Sequence, residues 1–289
     1  MERHVNLCVF FLATMSTLVK TLPRIVDLSY KQNGDTISWP GSPSYNLTQL
    51  FRGYSKTYKI WFEFNHFAMP EHMGTHVDAP AHSAQGGWKA DQIPMENLYG
   101  AGVIINVKSK AATNPDYRVT VDDLLVWEEK YGKMPRRAVA IMNSGWSSKY
   151  PNKTLVFGTP QPSNVSSFHF PGWHEDAVTW MINKRQINAV GVDTPSTDYG
   201  QTTNMPCHAI LGQKNIVGIE NVANLDNIPE NGSTIYIPVL NLFGGSGGPA
   251  RVFATFDDDL SKTNPAAMVT SSIIYVHLFA GVFMCTVVI

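Results

Sequence analysis

Three of the nine histidines in this 289-residue chain fall within eleven positions, in Glu71-His-Met-Gly-Thr-His-Val-Asp-Ala-Pro-Ala-His82, and Asp78 stands among them. Imidazole and carboxylate are the side chains that hold zinc and manganese, and the chemistry such a cluster offers is metal-assisted hydrolysis. His72 and His76 stand four apart, the spacing of a helical zincin pair. That arrangement fails here, because Met73 occupies the place of the zincin Glu base and Pro80 would drive its ring into the carbonyl of His76 in a helix. An extended or turning backbone serves better. His76 and Asp78 then project to one side, and Gly74 permits the bend that lets His72 join them. The alternative is a His-rich surface turn, which the low overall His content and the flanking apolar residues disfavour.

Further along, His208 and Glu220 carry little when taken singly. Glu220 follows the apolar, strand-like Asn215-Ile-Val-Gly-Ile219, which places a carboxylate at a strand end, where sites are commonly built. Cys207 beside His208 suggests a thiol with its base, but adjacent side chains seldom point together and no third orienting group is evident. Ser144-Gly-Trp-Ser147 is not the nucleophile elbow of serine hydrolases, and Gly244-Gly-Ser-Gly-Gly-Pro249 lacks the Lys of a phosphate loop. The glycine run reads as a bend that lets backbone approach the site. Trp39-Pro-Gly41 reads as a turn, which favours an indole at a rim over one in the core. Phe62, Phe64 and His66 alternate as in sheet packing.

The segment His72-Met-Gly-Thr-His76-Val-Asp78-Ala-Pro80-Ala-His82 resembles the H-x-G-T-H-x-D-x-P-x-H signature of the metal-dependent cyclase hydrolases, which include bacterial-type kynurenine formamidase and isatin hydrolase. The resemblance continues through Val26-Asp-Leu-Ser29, Trp39-Pro-Gly41, Ser144-Gly-Trp-Ser147, Gly191-Val-Asp-Thr-Pro-Ser196, Pro206-Cys-His208 and Gly245-Ser-Gly-Gly-Pro-Ala-Arg-Val-Phe253. It implies that His72, His76 and Asp78 hold a first metal ion and that Asp78 bridges to a second held by His208 and Glu220, with Zn²⁺ or Mn²⁺ as the ions. It also implies that His82 transfers a proton and that Trp39 lies against an aromatic substrate. For His82, a fourth ligand or a donor behind the ligands stays open. The activity implied is hydrolysis of a C–N amide bond. N-formyl-L-kynurenine is the first substrate expected and a cyclic amide of the isatin type the alternative. An inactive surface binding protein on the same fold is the reading from another class. The resemblance further implies a swivelling β/β/α fold and a homodimer with its sites near the interface.

The elements that must position these residues are legible as well. Short apolar runs at Ile25–Leu28, Gly102–Val107, Ala138–Met142, Ile187–Val192 and Ile235–Leu240 predict buried strands. Helical spacing appears in Val121–Lys130, with Val121, Leu124 and Leu125 on the apolar side, and in Asp176–Arg185, whose closing Lys184 and Arg185 suit the negative end of a helix dipole. Strand and helix are interleaved, so the expected class is α/β (α+β), a single domain around a large mixed sheet.

With 22 basic and 23 acidic side chains the formal net charge is −1, and charged residues make up 16% of the chain against 44% apolar. That balance excludes a nucleic-acid binder with a basic surface and a disordered tail. Residues 1–22 have the length and polarity of a secretory signal, and 263–289 form an apolar terminus with no charge after it. The latter is expected to be a GPI-attachment signal, with a membrane-spanning tail as the alternative. Export would leave a domain of residues 23–262, secreted or on the outer face of a membrane, which it touches only through that anchor. Cys8 and Cys285 lie in the removed ends, so Cys207 would be its single thiol. Sequons at Asn46, Asn152, Asn164 and Asn231 agree with that route.

Overall fold

In the computed structural model, which describes residues 22–257, alternate side chains of the central strands point into two separate apolar layers. Val139 and Ile141 enter one layer, and Ala140 and Met142 the other. Ile104 parts in the same way from Val103 and Ile105. This is the period-two consequence of a sheet covered on both faces, and it explains why these strands read as continuous apolar runs.

The strands are β1 (Arg24–Asp27), β2 (Asn46–Tyr54), β3 (Trp61–Ala68), β4 (His76–Asp78), β5 (Tyr99–Asn106), β6 (Arg118–Val119), β7 (Val139–Asn143), β8 (Gly172–Trp173), β9 (Ala189–Val192), β10 (Val217–Glu220), β11 (Asn231–Tyr236), β12 (Gly247–Pro249) and β13 (Phe253–Phe256). Nine form one mixed sheet in the order β1-β13-β11-β5-β7-β9-β10-β4-β12. Strands β5, β7, β9 and β10 run parallel, β11 joins antiparallel at one side, and β4 followed by β12 joins antiparallel at the other. The result is the expected single mixed α/β domain, and Ile25–Phe256 form one compact unit.

Helices cover the Ala140 side. Val121–Tyr131 buries Leu124 and Trp127, Glu175–Arg185 buries Ala177, Val178 and Met181, and Pro206–Gln213 buries Cys207 and Leu211. The first of these departs from the sequence reading, since Leu125 is exposed while Trp127 packs inward. The strand predicted over Ile235–Leu240 ends at Tyr236. A third cluster, of Ile37, Trp146, Val156, Phe157, Phe168 and Phe170, lies apart from the two layers.

Strands β2 and β3 pair only with each other, and every residue of both except Gly53 is exposed. Phe62 and Phe64, read as sheet packing from sequence, therefore stand in a two-stranded hairpin that adds nothing to either core layer. The expected export signal (but for Leu22), the C-terminal segment 263–289, Cys8 and Cys285 lie outside the described residues. Among the described residues no helix is long and apolar enough to cross a membrane.

Candidate metal centre

The segment that begins at His72 bends as far as Thr75, is a strand over His76–Asp78 and closes in the turn Pro80–His82, with no α-helix. Gly74 takes φ +60°, and a Cβ there would meet Thr36 Cγ2 at 2.7 Å, so the bend into β4 requires glycine. β4 then inserts between β10 and β12. Its antiparallel register with β10 sets His76 opposite Glu220, at the carboxyl end of a parallel strand, which is where open α/β sheets place their sites. On the other flank, Gly247 of β12 pairs with Asp78. A Cβ at Gly247 would press on the Val77 carbonyl and come 2.7 Å from His72 Cε1. The glycine run thus lets a backbone lie directly against the motif.

One cavity of about 360 Å³ gathers His72, His76, Asp78, His82, His208, Glu220 and Trp39. His72 Nδ1 lies 2.6 Å from Asp78 Oδ1. His208 Nε2 lies 3.4 Å from Asp78 Oδ2 and 3.3 Å from Glu220 Oε1. His82, in the turn Pro80–His82, is exposed, with its ring 3.9 Å from that of His72 and 5.8 Å from that of His208. Trp39 is half-buried, edge-on to Phe157 at 6.2 Å and to Phe168 at 5.3 Å. These two rings fix the angle at which the indole faces the cavity.

His76 tests whether the group fits a metal. Its Nδ1 lies 2.8 Å from the Gly74 carbonyl, which can only accept, so the proton sits on Nδ1. The enclosed Nε2 has no hydrogen-bond partner and faces Asp78 Oδ1 at 3.3 Å and Glu220 Oε2 at 3.5 Å. A ring nitrogen enclosed against two carboxylate oxygens is a place that a cation fits, a metal ion or a proton. Separations of 3.3–3.5 Å match two ligands each about 2.0–2.2 Å from one tetrahedral ion. The residues fit the group.

Ligand atoms fall into two sets, His76, Asp78 and Glu220 in one and His72, Asp78 and His82 in the other, each within 4.8 Å. Asp78 is common to both, as the resemblance implies for a bridging carboxylate, while His82 stands among candidate ligands as well as beside them.

The electrostatics agree with a cation site. Burial works against the Asp78 charge, yet the imidazoles of His208, His72 and His76 beside it hold its carboxyl well below the usual range. Burial and the neighbouring Asp78 push Glu220 up. Burial opposes protonation of His76, but the carboxylates of Asp78 and Glu220 against it prevail and push it up to about 9. A proton there stands in for the positive charge of a metal.

The supporting residues were harder to read from sequence. Asp198 Oδ2 lies 2.7 Å from His208 Nδ1, and the Asp198 carboxylate also accepts from the backbone N–H groups of Cys207 and His208. It fixes the tautomer that aims Nε2 into the cavity. Its signal was present two residues beyond the motif Gly191–Ser196. Ser246 bonds both His72 Nε2, at 3.0 Å, and Glu71, forming a second such chain. Buried Asp193 accepts from Ser144 N, Ser144 Oγ and Trp146 N, which accounts for Ser144-Gly-Trp-Ser147 as a pinned loop. The Cys207 thiol donates to the Trp173 carbonyl within the helical core layer, and burial pushes its pKa up, so it is unsuited to be a nucleophile.

The Cyclase family model matches residues 26–199, a span that contains the whole His72–His82 motif. The chain belongs to the Cyclase family. This Cyclase-family chain is 28% identical over 203 residues to isatin hydrolase of Roseibium aggregatum, covering 67% of the chain and 75% of that protein. It is 24% identical to kynurenine formamidase of Salinibacter ruber, covering 78% and 95% respectively. Among solved structures, isatin hydrolase A from Labrenzia aggregata bound to benzyl benzoate superposes with a TM-score of 0.74 at 27% identity, covering 87% of this chain and all of that one.

Proposed function

We propose that the protein is a metal-dependent hydrolase of the C–N bond of an aromatic amide, with arylformamidase action on N-formyl-L-kynurenine as the first reading. The observation that carries the hydrolase reading is the orphaned Nε2 of His76 aimed at Asp78 and Glu220 inside a cavity that His72 and His208 complete. His72, His76, Asp78, His208 and Glu220 would hold two ions, with Asp78 serving both and Glu220 close enough to His76 to share its ion. Zn²⁺ or Mn²⁺ bound there supplies a Lewis acid for the carbonyl and lowers the pKa of water to about 7. Asp198 and Ser246 keep the imidazoles oriented. His82 beside the cluster is pushed down to about 4 by partial burial and is therefore neutral, so it would take the proton that the attacking water gives up and pass it to the departing nitrogen. Trp39 stacks on the aromatic ring, worth about 0.5–1.5 kcal/mol beyond area burial.

A specific observation favours the isatin-type cyclic amide as second reading. No Lys or Arg lines the cavity among the described residues, whereas N-formylkynurenine brings an amino-acid carboxylate that would seek one. Relatives named for isatin hydrolysis support it too. Metal analysis with formate release from N-formylkynurenine and ring opening of isatin tests both. Stoichiometric metal with neither substrate cleaved would refute the substrate class.

Two wider features belong to the same reading. A homodimer is supported by the β2–β3 hairpin, which exposes Phe51 opposite Phe64 and Tyr54 opposite Trp61; an isolated hairpin with so much apolar surface calls for a partner. Export with a GPI anchor is supported by the apolar ends of the chain and by the exposure of all four sequon asparagines. Release from cells by a phosphatidylinositol-specific phospholipase tests the anchor, and failure of release would favour a spanning tail.

A further inference from the structure

Beside the metal cavity lies a larger one of about 630 Å³, and the two share Trp39, Ser196 and Met205 as walls. The second cavity carries no Asp, Glu, Lys, Arg or His among the described residues that line it. Its wall is made instead of the Trp39 indole, Tyr199, Val165 and neutral polar side chains along Gln201–Asn204, laid over the buried Phe168 and Phe170. The amide nitrogen of Gln201 gives an N–H to the Phe168 carbonyl, at 2.5 Å, and lies 3.4 Å from His169 Nε2, so the end that Gln201 can offer a ligand is its carbonyl oxygen. Such a wall suits an uncharged group with hydrogen-bond donors and an apolar body, and it would leave a charge unpaired.

Met205 stands on the boundary. It takes a left-handed conformation with φ +45°, rare for a side chain of this size, at the residue that precedes the helix Pro206–Gln213, which carries His208. Strained positions of this kind concentrate where ligands are held. Its side chain is 40% exposed and unbranched, able to change rotamer without disturbing either core layer.

We propose that the second cavity is a subsite for an uncharged, hydrogen-bonding extension of the substrate's aromatic ring, and that Met205 determines whether that extension enters. The inference rests on the aromatic-amide hydrolase reading and narrows its substrate class to elongated neutral aryl amides. The compact amide head lies at the metal ligands, Trp39 covers the ring, and the extension passes Met205 towards Gln201 and Thr203.

The experiment compares the zinc-loaded full chain on formanilide and on N-(4-acetamidophenyl)formamide, with formate release as readout. The extended compound is expected to show a kcat/KM at least about tenfold higher. Thr203→Trp, an exposed loop substitution that fills the subsite, should reduce that ratio to near one, and Met205→Ala should raise it. An equal or poorer extended substrate, or an advantage that survives Thr203→Trp, overturns the subsite. Cleavage of neither compound defeats the aryl-formamide reading and leaves the cyclic-amide reading standing, and calorimetry then decides the subsite separately. N,N′-(1,4-phenylene)diacetamide should bind about tenfold tighter than acetanilide and lose that margin in Thr203→Trp, whereas equal binding refutes the proposal.

Discussion

His76 and Glu220 face each other across the antiparallel pairing of β4 with β10, the imidazole Nε2 3.5 Å from a carboxylate oxygen and without a hydrogen bond of its own. The contact joins residues 144 positions apart in the chain. It turns a local histidine motif into a buried cluster that calls for a cation.

The support behind the ligands is testable through Asp198. Asp198→Asn keeps an acceptor for the helix backbone but withdraws the charge that orients His208. Metal affinity, read by chelator competition, is expected to fall about 10–100-fold while the circular dichroism spectrum is retained. Unchanged affinity would show that His208 does not bind metal.

His82→Ala separates proton transfer from ligation. Turnover should fall by about 10²–10⁴-fold with metal content unchanged. Loss of metal in the variant would make His82 a ligand, as its grouping with His72 and Asp78 allows.

Acid–base linkage gives a prediction for the metal-free protein. In the folded chain His76 is pushed up to about 9 from an ordinary value near 6.5. Its contribution to stability is therefore fully present below about pH 6.5 and is lost as pH rises through 9. Glu220, also raised, acts in the same direction. With EDTA present, the urea midpoint should decline from pH 6 to pH 9. Zinc affinity should rise over that interval, because the ion competes with the proton on Nε2. A flat urea profile would contradict the His76 assignment.

The hairpin prediction concerns assembly. Phe62→Ser combined with Phe64→Ser removes two exposed aromatics from a hairpin outside the core layers, so the domain should stay folded. Sedimentation velocity should show conversion of a dimer to a monomer. A dimer that persists would locate the interface elsewhere.

The amino-acid sequence by itself pointed to the chemistry of the centre, because the motif is local: Pro80 rules out a helix running on from His72, Gly74 lets the chain bend, and a strand then puts His76 and Asp78 on one side. It determined the central strands for the same reason, since β5, β7 and β9 are covered on both faces and their apolar runs have no other use. What depends on distant parts of the chain had no such signature. The apolar alternation of β2 and β3 does not reveal whether a core lies beneath it, and none does. Leu125 and Trp127 satisfy helical spacing equally, and the layer packed against the helix chose Trp127. Cys207 and His208 are neighbours whose roles separate only when the helix Pro206–Gln213 turns one towards Trp173 and the other towards Asp78 and Glu220. Tertiary structure alone decided that Asp198 supports His208 and that Gly247 lies against β4. Side-chain chemistry is written in each residue, whereas strand register and long-range packing arise from the balance of many contacts between segments far apart in sequence.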